Sequence, residues 1–244
     1  MSQNLTNLIA DIGNTRSKLA LFENDKLIKK EAFPTLEILN LIEFTTNHSI
    51  EKSIFSMSGE LPDEIRKFVS DTFDPIWLSH TTPLPITIEY DTPQTLGRDR
   101  IAAVIGANEK FPENDCLVID AGTCITYDWI TKDGKYKGGN IAPGLKMKLK
   151  AMHQFTANLP EAPMHPIRHP IGKSTLEALT NGAVWGTFNE IEGYIDWGNA
   201  QFEDLLVVFT GGDSNFFVNN IKREIFADPD LVLVGLNKIL NFND

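Results

Sequence analysis

Two short stretches of this chain place an acid, a glycine and a hydroxyl at spacings suited to holding a phosphate: Asp11-Ile12-Gly13-Asn14-Thr15 and Asp120-Ala121-Gly122-Thr123. A glycine removes the Cβ, so backbone amides can approach phosphate oxygens closely. The threonine hydroxyl can donate to a phosphate. Each aspartate can hold a cation directly or through water, and the cation then bridges the phosphates. Taken singly, either stretch reads first as an ordinary tight turn, which Asp, Gly and Asn favour. Both occur at the same place in each half of the chain, each after an apolar triplet, Leu8-Ile9-Ala10 and Leu117-Val118-Ile119. That repetition favours the phosphate reading.

Three further clusters belong with them. Thr210-Gly211-Gly212-Asp213 follows an apolar run, which puts bare backbone at a strand's carboxyl end, where ligands sit in open α/β sheets. Gly138-Gly139-Asn140-Ile141-Ala142-Pro143-Gly144 joins a flexible pair to a rigid Pro-Gly turn that could wall a cleft. The candidate catalytic group lies in Tyr90-Asp91-Thr92-Pro93-Gln94-Thr95-Leu96-Gly97-Arg98-Asp99-Arg100. Asp99 falls at the start of a helical pattern, between two arginines that would keep it ionised. It reads equally well as a helix-capping aspartate. Ser174-Thr175-Leu176-Glu177 matches a capping box, with Ser174 as the cap and Glu177 reaching back, which leaves the Thr175 hydroxyl outside the cap. The five histidines lack a metal-ligand spacing and read as surface or loop residues. Cys116 and Cys124 fit neither a disulfide framework nor a zinc site, and read as two reduced, buried thiols.

The elements that must position these residues repeat as well. In the first half a strand at 8–10 runs into the acidic turn, followed by strands at 17–22 and 27–33 with a hairpin between them. A helix over 36–42, a strand at 53–57, a helix over 62–73 and a strand at 76–78 come next. An extended stretch at 86–90 then precedes a helix over 99–111. The second half opens alike, with strands at 117–119, 124–130 and 136–141. A helix over 145–155, a loop at 160–170, a helix over 175–194, a strand at 205–210 and a helix over 216–225 follow. A last strand at 231–233 and the segment 235–240 close the chain. A meander followed by alternating helices and strands predicts an α/β fold with a mixed sheet in each half. Repetition on this scale suggests duplication about a pseudo-two-fold cleft.

The 244 residues suit two halves, and 42% apolar residues can fill their cores. The formal net charge of −11 and the lack of a Lys/Arg stripe argue against nucleic-acid binding. The start at residues 1–7 lacks a signal peptide's basic and apolar regions, and no apolar run is long enough to span a bilayer. No membrane association and a cytoplasmic location are therefore expected.

Together these motifs resemble the type III pantothenate kinases, bacterial enzymes of the acetate and sugar kinase, Hsp70 and actin superfamily. The acidic turns are common to many kinases of that superfamily; their combination with Gly97-Arg98-Asp99-Arg100 is what points to pantothenate. The resemblance implies two duplicated ribonuclease H-like domains with mixed sheets, residues 1–114 and 115–244, and an ATP cleft between them. It implies ATP-dependent phosphorylation of pantothenate to 4′-phosphopantothenate, the first step of coenzyme A biosynthesis. By the same resemblance, Asp11, Ile12, Gly13, Asn14, Thr15, Arg16, Ser17 and Lys18 form the first phosphate loop, with Asp11 near Mg²⁺. Asp99 is the proton acceptor. Tyr90, Gly97, Arg98, Asp99 and Arg100 line the pantothenate site. Asp120 binds a monovalent cation (K⁺ or NH₄⁺), Thr123 contacts ATP, and residues 210–213 lie near the adenosine side. Thr175 would reach pantothenate from the neighbouring subunit of a homodimer. Arg98 is a departure, since relatives often carry a small residue at that variable position. The competing readings are a kinase for another small acceptor and an ATP-binding regulatory accessory protein of the same fold.

Overall fold

In the computed structural model, residues 6–166 and 169–243 are described. The polar start at residues 1–5 and two positions of the 160–170 loop lie outside them. The chain divides into two compact units. One comprises Met1–Pro112, Thr131–Lys137 and Asp230–Asp244, and the other Glu113–Ile130 and Gly138–Pro229.

In chain order the elements begin with β1 (Thr6–Ile12), β2 (Ser17–Glu23), β3 (Lys26–Phe33), α1 (Ile38–Thr45) and β4 (Ile50–Met57). Next come α2 (Asp63–Phe73), β5 (Ile76–Trp77), β6 (Thr87–Ile88) and α3 (Arg98–Lys110). The second set is β7 (Cys116–Ala121), β8 (Cys124–Ile130), β9 (Lys135–Pro143), α4 (Leu145–Gln154) and α5 (Thr175–Gln201). It continues with β10 (Leu206–Thr210), α6 (Ser214–Val218) and β11 (Phe226–Ala227), before α7 (Leu231–Phe242).

The first sheet has the order β3-β2-β1-β4-β5, antiparallel through the meander and parallel from β1 to β5. The second contains the order β9-β8-β7-β10-β11, the same pattern element for element, with β7, β10 and β11 parallel. Strand β6 pairs in parallel with Lys135 and Tyr136 of β9. Side chains alternate across a strand, so each sheet has a plain apolar face. In the first, Leu8, Ala10, Ile12, Leu19, Leu21 and Phe55 pack with Leu41 and Phe44 of α1 and Ile65 and Val69 of α2. Its other face meets α3 and α7. In the second, Leu117, Ile119, Ala121, Tyr127, Val207 and Phe209 pack with Val184, Ile191 and Ile195 of α5.

Three expectations change. Residues 231–233 are not a strand: they begin α7, which continues through 235–240. An apolar run of that length reads alike for a buried strand and a buried helix. The crossing with α3 decides it, because Cβ atoms on Gly106 and Gly235 would stand 2.1 Å from the Leu231 carbonyl and 1.8 Å from the Ala102 carbonyl. The two helices thus touch backbone to backbone through paired glycines. The helix expected over 216–225 is only Ser214–Val218. Asn219 and Asn220 follow it, and the Asn220 amide donates to Phe216 O at 2.7 Å, the kind of local bond that competes with helix continuation. Helix α5 runs past 194 to Gln201, with Ile195 and Gly198 still buried.

Both cysteines are free; Cys116 is buried and Cys124 half-buried. Burial, with the charge of Asp115, pushes the Cys116 thiol up to about 12, so it stays unreactive. Among the described residues, no helix is long and apolar enough to cross a membrane.

Candidate active site

Asp11 is the next-to-last residue of β1. It pairs in register with Lys18 on β2 and with Ser56 on β4, so the three side chains form a row across one face of the sheet. Ala10 and Ile12 occupy the opposite, apolar face. The row therefore faces the side on which α3 packs. Beyond it the chain turns through residues 13–16, closed by a bond from the Gly13 amide to Arg16 O at 3.1 Å. Asn14, Thr15 and Arg16 are exposed, so the turn is open to a ligand, while Ser17 is buried.

Burial pushes the Asp11 carboxyl up from 3.8 to about 6. Lys18 acts against that shift, and the charge of Asp99 adds to it. Asp11 Oδ1 is buried and accepts no hydrogen bond, and neither does the hydroxyl of Ser56 take part in one. A buried polar atom left this way costs roughly 1–3 kcal/mol. A carboxylate oxygen without a donor, in a row with a hydroxyl, suits a hydrated cation.

Asp99 occupies the second position of α3, where its charge favours the helix N-terminus. It does not cap the helix. Gly97 holds that place, and Asp99 Oδ1 accepts from the Arg100 amide at 2.9 Å. The carboxylate is half-buried. Arg100 is buried, donates from Nη2 to Tyr136 Oη at 2.8 Å, and lies 6.0 Å from the centre of the Tyr90 ring. The rings of Tyr90 and Tyr136 are 6.1 Å apart. Arg98, the unusual residue of the motif, donates from Nε to Leu78 O at 2.8 Å, which anchors it beside the end of β5. In the first unit the charges of Lys18 and Asp99 both act on Asp11, and Tyr90 lies beside Arg100.

In the second unit Asp120 pairs in register with Thr126 on β8 and Thr210 on β10. Its turn is one residue shorter and is closed by a bond from the Gly122 amide to Cys124 O at 2.9 Å. Thr123 is exposed, and its carbonyl accepts from the Gly144 amide at 3.1 Å, which ties the Pro143-Gly144 turn to the acidic one. The loop after β10 crosses over the turn. Gly211 has φ 93°, and a Cβ there would lie 2.4 Å from both Ala121 O and Asp120 Oδ1. Lys146 and Asp213 pair at 3.8 Å. Thr175 is the exposed first residue of α5. Ser174 caps that helix, accepting from the Glu177 amide at 3.2 Å, and Glu177 reaches back to the Lys173 amide at 2.7 Å instead of to Ser174.

Sequence reading missed three members of these sites. The first is the loop after β4, where the Gly59 amide donates to Ile12 O at 2.9 Å; in the second unit the Asp213 amide donates to Ala121 O, also at 2.9 Å. A Cβ on Gly59 would stand 2.4 Å from Gly13 O. Ser56-Met57-Ser58-Gly59 is therefore the counterpart of residues 210–213. With one glycine it carries a weaker signal, legible only by aligning the fourth strand of each half. The second is Tyr136, the partner of Arg100. The third is Thr126, which reaches Asp120 only through strand register. Among the described residues no three His, Cys, Asp or Glu side chains gather to hold a metal, so an ion here would draw on water or ligand oxygens.

Solved structures share this architecture. An activator of 2-hydroxyisocaproyl-CoA dehydratase from Clostridium difficile, solved with bound ADPNP, is 14% identical over 98% of this chain and 94% of its own, with a TM-score of 0.53. An inorganic polyphosphate/ATP-glucomannokinase from Arthrobacter sp. strain KM is 15% identical over 99% and 100%, with a TM-score of 0.52. The fold is that of the sugar kinase, Hsp70 and actin-like ATPases, two ribonuclease H-like domains with mixed sheets. The profile of type III pantothenate kinases matches residues 7–197. The type III pantothenate kinase of Bacteroides fragilis is 43% identical over 240 residues, covering 98% of both chains. The chain belongs to the type III pantothenate kinase family.

Proposed function

We propose that this member of the family transfers the γ-phosphoryl group of ATP to the primary hydroxyl of pantothenate with Asp99 as the proton acceptor. The O–P bond to pantothenate forms, the bond from the γ-phosphorus to ADP breaks, and the proton goes to the Asp99 carboxylate. A carboxylate is far too weak a base to deprotonate an alcohol beforehand. In a loose transition state it orients the hydroxyl and takes the proton late. What supports this reading is geometry within the first unit: Asp11 stands at the end of β1 beside the open turn, and Asp99 stands at the N-terminus of α3, the helix that packs on the face occupied by the Asp11 row.

Residues 11–18 hold the phosphates through the amides of the exposed turn and the Lys18 ammonium, and Asp11 would hold Mg²⁺. The ion supplies charge neutralisation on the phosphates. Tyr90, Gly97, Arg98 and Arg100 form the pantothenate side, with Arg100 held in place by Tyr136. Asp120 would hold K⁺ or NH₄⁺, Thr123 contacts ATP, and residues 210–213 border the adenosine. Residues 1–114 and 115–244 are the two duplicated halves. The enzyme works in the cytoplasm as a homodimer in which Thr175 serves the neighbouring subunit. Exposed Leu176, Trp185 and Trp197 along α5 support a partner on that helix.

A coupled assay for ADP formation tests the whole reading. Release that depends on pantothenate and rises with K⁺ is expected. ATP turnover with pantothenate silent and another alcohol or carboxylate active would replace the acceptor.

A further inference from the structure

None of the motifs read from the sequence includes Ser56, yet the fold places it in the same row as Asp11. The residue is fully buried at the carboxyl end of a central parallel strand, and its hydroxyl has no hydrogen-bond partner. Asp11 Oδ1, on the registered neighbour and the same face, is also buried and also unpaired. Neighbouring strands lie roughly 5 Å apart, so the two atoms belong to one small space, but they do not bond each other. Buried polar groups are normally satisfied, so a carboxylate oxygen and a hydroxyl left unpaired side by side require a third, polar partner. An apolar residue at 56 would have filled the strand without this defect, as Phe55 and Ile54 do beside it.

The second unit repeats the arrangement. Thr210 stands to Asp120 as Ser56 stands to Asp11, and its hydroxyl too is buried without a hydrogen-bond partner. A hydroxyl at this strand position in both halves ties it to the acidic turn, not to the packing of either core.

We propose that Ser56 is a positioning residue of the divalent-cation site. Its hydroxyl hydrogen-bonds a water of the hydrated cation that Asp11 holds, and so fixes the cation's orientation toward the phosphates. The proposal rests on the reading of Asp11 given above. Outer-shell partners of this kind commonly set affinity 10- to 100-fold.

The test uses Mn²⁺ as the probe, with the full-length enzyme saturated with a non-hydrolysable ATP analogue and free Mn²⁺ followed by electron paramagnetic resonance. S56A should weaken Mn²⁺ binding roughly 10-fold, and D11N should weaken it at least as much. S56T should retain wild-type affinity, because the equivalent place in the second unit already carries threonine. S56C, close to serine in volume but a poor hydrogen-bond donor, should behave as S56A does, and it decides the matter if the alanine variant fails to fold. Wild-type affinity in S56A or S56C with loss in D11N would overturn the role of Ser56 alone. Wild-type affinity in D11N would overturn the Asp11 reading and this inference together.

Discussion

The two acidic turns share a frame and differ in charge. Each aspartate sits near the end of the first strand of its sheet, with a hydroxyl beside it on the fourth strand and a loop amide crossing to the next carbonyl. In the first unit the remaining neighbour in the row is the ammonium of Lys18, and the charge of Asp99 reaches the same carboxyl. In the second unit that neighbour is the neutral Thr126. A carboxylate shared among an ammonium, a second carboxylate and open amides suits a polyanion with its divalent ion. A carboxylate with a threonine on each neighbouring strand is the arrangement proposed above to hold a monovalent ion. The two copies keep one geometry and differ in the charge beside the aspartate, which is the basis for proposing a different ion at each.

The sharpest way to break that division is to remove one charge from each side. Asp99→Asn should lower kcat by about 10²–10⁴-fold, the usual span for a general base, while nucleotide affinity measured by calorimetry stays within about twofold, the bound set by a role confined to the chemical step. Asp120→Asn should instead raise the K⁺ concentration needed for half-maximal ADP release and leave the rate at saturating K⁺ largely intact. Equal losses of kcat in both variants at saturating K⁺ would mean that the turns do not divide the work as their charges suggest.

Glycines offer a structural version of the comparison. Gly59 and Gly211 both lie under the crossing loops, but only Gly211 has a positive φ. Gly211→Ala meets two oxygens at 2.4 Å, Ala121 O and Asp120 Oδ1, on a left-handed backbone, so it should destabilise the protein by roughly 4 kcal/mol. Gly59→Ala meets the Gly13 carbonyl at 2.4 Å and the Asn14 backbone nitrogen at 3.1 Å, without a left-handed backbone, and should cost about 1–3 kcal/mol. Urea unfolding of the two variants measures both. The reverse order would show that the two loops are not held in equivalent ways.

What was legible in the sequence follows the same division. The acidic turns could be read because Asp, Gly and Thr mark a turn locally, whatever surrounds them. The strands of both meanders could be read because apolar residues cluster between turn signals. The row partners Ser56, Thr126 and Thr210 could not be assigned, because strand register brings them to the aspartates from distant positions. Only Thr210 drew notice, through its glycines. Residues 231–233 read as a strand for a related reason: nothing in an apolar run announces a glycine-to-glycine helix crossing. Tyr136 was invisible as the support of Arg100, since the bond joins residues far apart in the chain.

The smallest expected effect isolates the first turn by pH. The Asp11 carboxyl titrates near 6 in the folded protein and 3.8 is its ordinary value. Between those two values the folded state binds more protons than the unfolded one. The stability contributed by the protonated form is therefore complete below about pH 4 and lost as pH rises through 6. For the metal-free, nucleotide-free enzyme the loss is at most about 3 kcal/mol, two pH units of linkage at a buried group. Asp11→Asn cannot titrate, so its unfolding free energy should fall less steeply than the wild type's between pH 4 and 6, and at pH 7 the variant should be the more stable of the two. Adding Mg²⁺ with an ATP analogue at pH 7 should restore stability to the wild type but little to the variant, because the cation stabilises the charged carboxylate that burial disfavours. If the two pH profiles run parallel, the Asp11 carboxyl is better solvated than its place in the row implies, and the contrast with the second turn must come from Lys18 alone.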